Sequence, residues 1–289
     1  MSAAEESSLN APVRTLGIIA GGGSLPERLV QACDKQDIGV FIVAFRGQTD
    51  PRVYKDHHHM LARLGAAGKI IETLKTHGIR DLVWIGSIRR PSLAELRPDM
   101  RALKFFTRLG LQALGDDGFL RSIRREFEME GFRLHGVQEF AADLLAAEGC
   151  VGKHQPGSAD WPNIERALKV SQVLGELDVG QSVIIQEGLV LGVEGVEGTD
   201  ELIRRCGGYR RRGHGGILVK TCKPGQDRDL DLPTIGPETI KRCAEAKLHG
   251  VVFYAGQTLL VAPQEVADLA DRHDIFVVGL SPARKSHAV

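Results

Sequence analysis

Short apolar runs alternate with helix-spaced stretches along most of this chain, and that alternation limits its fold more than any other feature. TLGIIAGGG reads as a buried strand over residues 16–20 that runs into Gly21, Gly22 and Gly23. SLPERLVQACDK follows with helical spacing. Ser24 and Glu27 stand at capping-box distance, and Pro26 sits in the first turn, where its missing N–H costs nothing. Gly39–Phe45 is a second apolar strand, AAGKIIETLKTHG a second helix, and residues 81–86 a third strand. Strand and helix in turn predict a parallel sheet covered on both faces.

A mainly helical stretch follows, RALKFFTRLGLQAL and then DDGFLRSIRREFEMEG, with FRLHGV as a last strand and QEFAADLLA as a helix. Residues 150–162, rich in Gly, Pro and polar side chains, read as an interdomain linker. Beyond it the alternation resumes. NIERALKVSQVLGEL is a helix and SVIIQEGLVLGVEG a hairpin turning at Glu187-Gly188. TDELIRRCG is a helix that Thr199 can cap, and GILVK a strand before the polar loop TCKPGQDRDLDLPTIG. PETIKRCAEAKLHG, VVFYAGQTLLV, QEVADLADRH and IFVVGL complete the half. The expected organisation is therefore α/β throughout. It comprises a Rossmann-like nucleotide-binding domain over 14–149, a linker over 150–162 and a C-terminal α/β catalytic domain over 163–283. A ligand is expected in the cleft between the domains.

Composition removes several function classes. Lys+Arg and Asp+Glu both total 37 in 289 residues, so no global charge draws the chain to nucleic acid or an anionic membrane. The five cysteines are scattered and form no CxxC pair, which suits a reducing cytoplasm and no structural zinc. The polar start, with Glu5 and Glu6, has no apolar core of a signal peptide. No uninterrupted apolar run approaches the ~18–20 residues that span a bilayer.

Gly21, Gly22 and Gly23, with Ser24, lie between the first strand and first helix, where bare N–H groups and a helix N-terminus can meet a phosphate. A nicotinamide site fits poorly: Pro26 stands where GxGxxG needs glycine, and Arg46 ends the second strand in place of a ribose-binding acid. A tight structural turn remains open. Lys220, Lys223, Gln226, Asp227, Arg228, Asp229 and Asp231 share one Gly/Pro-punctuated loop. Diphosphate hydrolysis needs cations to neutralise phosphoryl oxygens and carboxylates to hold a metal or orient water. A solvated charged turn is the plain alternative. Asp231 stands apart, because Pro233 and Gly236 put it at the start of a constrained turn, and a rigid mount suits a catalytic acid.

The segments LGIIAGGGSLP, GSIRRPSLAELRPD, GDDGFLRSIRREFEMEGF, LDVGQSVIIQEGLVLGVEGVEGTDELIRR and KTCKPGQDRDLDLPTIGPETI resemble the LpxI family of UDP-2,3-diacylglucosamine pyrophosphatases. The likeness covers nearly the whole chain, and GDDxxL, EGTD and KPxQxxxxDLPTIG in this order are specific to it. The resemblance implies Mg2+-dependent attack of water on the diphosphate, at the β phosphorus, giving UMP and 2,3-diacylglucosamine 1-phosphate (lipid X) in lipid A biosynthesis. It implies that Asp231 is the essential aspartate, Asp200 the acid of EGTD and Lys223 the lysine of KP, with Asp231 and Asp200 as metal ligands. Ser87 departs from the family's usual asparagine, and Gly195 from its usual alanine. The partner is the UDP-activated acylated sugar. A homodimer in the cytoplasm of a Gram-negative cell, touching the inner membrane peripherally, completes the expectation.

Other candidates have plainer readings. Asp116, Asp117 and Thr199 either contact phosphate or cap helices. Arg89 and Arg90 either bind phosphate or are ordinary exposed arginines. His57-His58-His59 reads as a solvated loop, since adjacent side chains diverge from a common ion. Residues 101–114, with Arg101, Lys104, Arg108, Phe105 and Phe106, form a core-packed or an interfacial helix. Two other functions compete: an NAD(P)-dependent oxidoreductase, and a nucleotide-sugar-binding regulator that would tolerate loss of Asp231.

Overall fold

In a computed structural model the described residues are 14–88, 98–109 and 116–282, with side chains 106–109, 116 and 117 left aside. They divide into two compact units, one of residues up to 114 with 118–142, the other of 115–117 and 143 onward.

The first unit is built on β1 (Thr15–Ala20), β2 (Gly39–Phe45), β3 (His58–Ala62), β4 (Asp81–Ile85) and β5 (Arg133–His135), in the order β3-β2-β1-β4-β5 with every pairing parallel. Near-continuous burial along β1 and β2 is what a sheet covered on both faces demands. Helices α1 (Leu25–Asp34), α2 (Pro51–Tyr54), α3 (Ala67–Thr76), α4 (Met100–Leu109) and α5 (Asp116–Met129) accompany it. The chain leaves β1 to build β2 and β3 on one side and returns to place β4 on the other. The gap at the carboxyl ends of β1 and β4 is therefore the switch point where open α/β sheets take ligands.

Three expectations are corrected here. His58 and His59 belong to strand β3, paired with Phe41 and Ile42, rather than to a loop. Both are exposed on an edge strand, which hides the apolar signal of a strand. QEFAADLLA forms two 3-10 turns, Val137–Glu139 and Ala142–Leu144, not an α-helix. The Ser24–Glu27 capping box does not form: Ser24 is itself helical in backbone, and only its carbonyl is engaged, by the Arg28 N–H.

The second unit carries a six-stranded sheet in the order β6-β13-β11-β9-β7-β8. Its strands are β6 (Gly149–Cys150), β7 (Ser182–Gln186), β8 (Leu189–Val193), β9 (Gly216–Lys220), β11 (Leu248–Tyr254) and β13 (Phe276–Leu280). A small parallel pair joins β10 (Thr234–Ile235) to β12 (Leu259–Leu260). Alternation along the strands sorts the core into two faces. Ile184, Leu218, Val251 and Val277 pack under α7 (Gly198–Gly207), α8 (Pro237–Glu245) and α9 (Pro263–Arg272). Val183, Ile217, Val219, Val252 and Phe276 pack against α6 (Trp161–Glu176) through Ile164 and Ala167. The β7–β8 hairpin turns where expected, with Glu187 and Gly188 at φ 48° and 77°, the positive pair a two-residue hairpin needs. Of the segment 150–162, Cys150 pairs with Val278, and the Val151 and Lys153 amides bond Val277 and Asp271, all in the second unit.

Candidate active site

In the first unit the glycine loop closes on the end of β4 through its own backbone. The Gly21 N–H donates to the Ile85 carbonyl at 2.8 Å, the Gly22 N–H to Ser87 at 2.7 Å, and the Ser87 N–H returns to Gly22 at 3.0 Å. A Cβ on Gly21 would stand 2.6 Å from the Ser87 carbonyl oxygen, so only glycine lets the two segments approach this closely. Gly23 is at φ 85° with open space around it. Thr49 fixes the same edge: its buried hydroxyl donates to the Ala20 carbonyl at 2.5 Å and accepts from the Phe45 N–H at 2.8 Å. The bare amides expected across the loop are thus reduced, because two of the three glycine N–H groups are consumed by pairing. Ser87 takes part through its backbone N–H and carbonyl. Arg89 and Arg90 lie outside the described residues. Asp116 and Asp117 open α5, but their side chains lie outside them too.

In the second unit the lysine–carboxylate loop springs from the carboxyl end of β9 and ends in β10. Lys220, the last residue of β9, donates from Nζ to the Thr234 carbonyl at 3.2 Å, joining the two ends of the loop. The Leu259 N–H bonds the Pro233 carbonyl at 2.8 Å, and β10 pairs with β12. Between these anchors Leu230 and Leu232 are buried and Asp231 is half-buried. Gln226 reaches back inside the loop. Its Oε1 accepts from the Lys223 N–H at 2.9 Å and from the Cys222 thiol at 3.2 Å, and its Nε2 donates to Asp231 Oδ2 at 2.7 Å. The Lys223 ammonium is buried and meets Asp178 Oδ1 at 2.6 Å, where α6 turns toward β7. Behind it the buried Ser171 and Thr221 hydroxyls bond at 2.6 Å.

The EGTD segment approaches the same end of the sheet. Ser182 pairs with Lys220 across β7 and β9, and its hydroxyl lies 3.3 Å from that of Thr199. Thr199 donates to Glu194 Oε1 at 2.8 Å, and the buried Glu194 also accepts from the Gln181 N–H. Thr199 is therefore not the helix cap expected; α7 starts one residue earlier, after Glu197. Asp200 is exposed in the first turn of α7. Burial pushes the core thiol of Cys243 on α8 upward, and the charge of Asp200 adds to it.

The structure thus gathers Lys220, Lys223, Gln226 and Asp231 in one loop and seats Thr199 against its base through Ser182. Sequence reasoning missed Asp178, Glu194, Ser171 and Thr221. The only signal for Asp178 was that a lysine beside an apolar strand, if buried, requires an acid.

Two family matches cover this chain: the LpxI N-terminal domain over residues 15–144 and the LpxI C-terminal domain over 147–278. The chain belongs to the LpxI family. A relative from Caulobacter vibrioides, UDP-2,3-diacylglucosamine pyrophosphatase LpxI, is 37% identical over 280 residues, covering 94% of this chain and 100% of the relative. Among solved structures, the biotin carboxylase domain of Hydrogenobacter thermophilus 2-oxoglutarate carboxylase is 13% identical over 61% of this chain at a TM-score of 0.25. The biotin carboxylase subunit of pyruvate carboxylase is 13% identical over 60% at 0.21. The chain spans 35% of the length of each, and likenesses this weak carry no argument.

For this LpxI-family chain the donor chemistry can be tested against magnesium. Among the described residues no three of His, Cys, Asp and Glu gather into a metal-holding group. Zinc would want such a set. Magnesium fits one or two carboxylates, because it keeps waters and takes substrate phosphate oxygens, and the half-buried Asp231 supplies one carboxylate. No helix among the described residues is long and apolar enough to cross a membrane.

Proposed function

We propose that this chain hydrolyses the diphosphate of UDP-2,3-diacylglucosamine, releasing UMP and 2,3-diacylglucosamine 1-phosphate in lipid A biosynthesis. The observation that carries the reading is identity of 37% to the Caulobacter pyrophosphatase over 100% of that protein's length. In this reading the first unit is a Rossmann-like nucleotide-binding domain and the second the catalytic domain. Gly23 and Ser24, at the start of α1, meet a nucleotide phosphate with the help of the helix N-terminus. Asp231 orients the attacking water or ligates the metal, with Asp200 as the further metal candidate. Magnesium, when bound, would neutralise charge on the phosphoryl oxygens.

The chain's own part in the step is positional. Water oxygen bonds to phosphorus, the bridging P–O bond breaks, and the leaving phosphate keeps the electron pair. Asp231 can fix that water because both ends of its loop are tied, by Lys220 to Thr234 and by β10 to β12. Lys223 acts in this reading by holding the loop, since its ammonium is engaged by Asp178. The protein works as a cytoplasmic homodimer that reaches its lipid substrate from the face of the inner membrane. The test is UMP release from UDP-2,3-diacylglucosamine by purified protein with magnesium, expected to stop with excess chelator. Undiminished release in chelator would remove the metal, and absence of UMP would remove the reading.

A further inference from the structure

We propose that Gln226 is a positioning residue for the reaction: its side-chain amide holds the Asp231 carboxylate in one orientation. This deepens the reading above and rests on Asp231 being the acid of the chemical step. Gln226 is buried, and its two ends are distinguishable by their partners. The Lys223 N–H can only donate, so the atom facing it at 2.9 Å is the amide oxygen, an assignment the Cys222 thiol at 3.2 Å reinforces. The opposite end must then be the NH2 group, 2.7 Å from Asp231 Oδ2. Reversing the amide would set N–H against N–H at one end and oxygen against oxygen at the other.

An amide NH2 is a donor with no proton to lose near neutral pH. Its bond therefore fixes which oxygen of Asp231 faces the loop interior. The amide in turn cannot rotate, because the Lys223 backbone is pinned by the buried Lys223–Asp178 pair and by a Gln226 N–H bond to the Lys223 carbonyl at 3.1 Å. Gln226 thus acts through Asp231 and need not touch the substrate.

The test is a separate determination of kcat and KM for Gln226→Glu and Gln226→Ala in the full-length enzyme, with circular dichroism and thermal melts as controls. Gln226→Glu keeps the shape and the acceptor for the Lys223 N–H but removes the donor to Asp231. Both variants should lower kcat by about tenfold to a hundredfold and leave KM within about threefold. A raised KM with an unchanged kcat would make Gln226 a substrate ligand and overturn the proposal. A lowered melting temperature with unchanged kcat and KM would make it merely structural and overturn it too. Full activity in Asp231→Asn, measured alongside, would instead overturn the underlying role of Asp231, whatever the Gln226 variants do.

Discussion

The glycine loop of the first unit and the lysine–carboxylate loop of the second are held in opposite ways. The glycine loop of the first unit is fixed by main chain: Gly21 and Gly22 exchange hydrogen bonds with Ile85 and Ser87, and the Thr49 side chain reaches in to pin the edge. The Lys220–Thr234 loop of the second unit is fixed largely by side chains, namely Lys220 to Thr234, Lys223 to Asp178 and Gln226 to Asp231. A backbone-held loop offers a fixed shape and few titratable groups, which suits binding. A loop held by charged and amide side chains can set the orientation of an acid, which suits chemistry.

The difference can be broken most forcefully at Asp178. Asp178→Ala removes the carboxylate that the buried Lys223 ammonium meets at 2.6 Å, and stripping one partner from such a pair is expected to cost roughly 3 kcal/mol. Denaturant melts of the variant check this. A loss no larger than that of an exposed surface pair would mean that side chains do not hold the second loop. Gly21→Ala is the matching test of the first loop. Its Cβ would press on the Ser87 carbonyl oxygen from 2.6 Å, against backbone that cannot step aside. Overpacking of this kind is expected to cost about 2 kcal/mol. Gly23→Ala, with open space but a φ of 85°, should cost only about 1 kcal/mol. Equal losses at the two positions would refute close approach as the reason for Gly21.

The smallest expected effect is a pH dependence of the first unit, at the opposite end of β4 from the glycine loop. At the start of β4 the buried Asp81 accepts two bonds from Arg133, at 2.7 and 2.8 Å, and one from His135 at 2.8 Å. Burial raises the Asp81 pKa, but the bonds and charges of Arg133 and His135 outweigh it, and the net shift is downward. His135 is pushed down by burial, yet its bonds to Asp81 and Glu139 bring the net shift upward. A lowered acid stabilises fully above its unfolded value and loses that contribution as pH falls through its folded pKa. A raised histidine stabilises fully below its unfolded value and loses that contribution as pH rises through its folded pKa. The cluster should therefore contribute most between about pH 4 and pH 6.5. Thermal melts across pH should show that plateau in the wild type and a flatter curve in Asp81→Asn.

Much of this fold was legible in the sequence, since buried strands such as Gly39–Phe45 and Gly216–Lys220 are continuous apolar runs. The hairpin at Glu187-Gly188 was legible because its turn needs two positive φ angles. Strand β3 was not, because HHMLA is held by pairing to β2 rather than by burial. The same holds for the site. Asp231 stood out through Pro233 and Gly236, local features that constrain a turn. Asp178 did not, because its meaning depends on a lysine 45 residues away. The capping alternative for Thr199 failed for a similar reason: its partners, Glu194 and Ser182, reach it only once the hairpin has folded.

The measurement that bears most directly on this division of labour is a paired determination of kcat and substrate affinity for Asp231→Asn, with Asp229→Ala as control. Asparagine keeps the size and much of the hydrogen bonding but loses the charge. Turnover is expected to fall by more than about a thousandfold while affinity for intact UDP-2,3-diacylglucosamine stays within about threefold. Asp229→Ala, two residues earlier, should keep most of the rate. A folded Asp231→Asn enzyme that turns over substrate near the wild-type rate, or that loses binding rather than turnover, would contradict the account and move the chemistry off this loop.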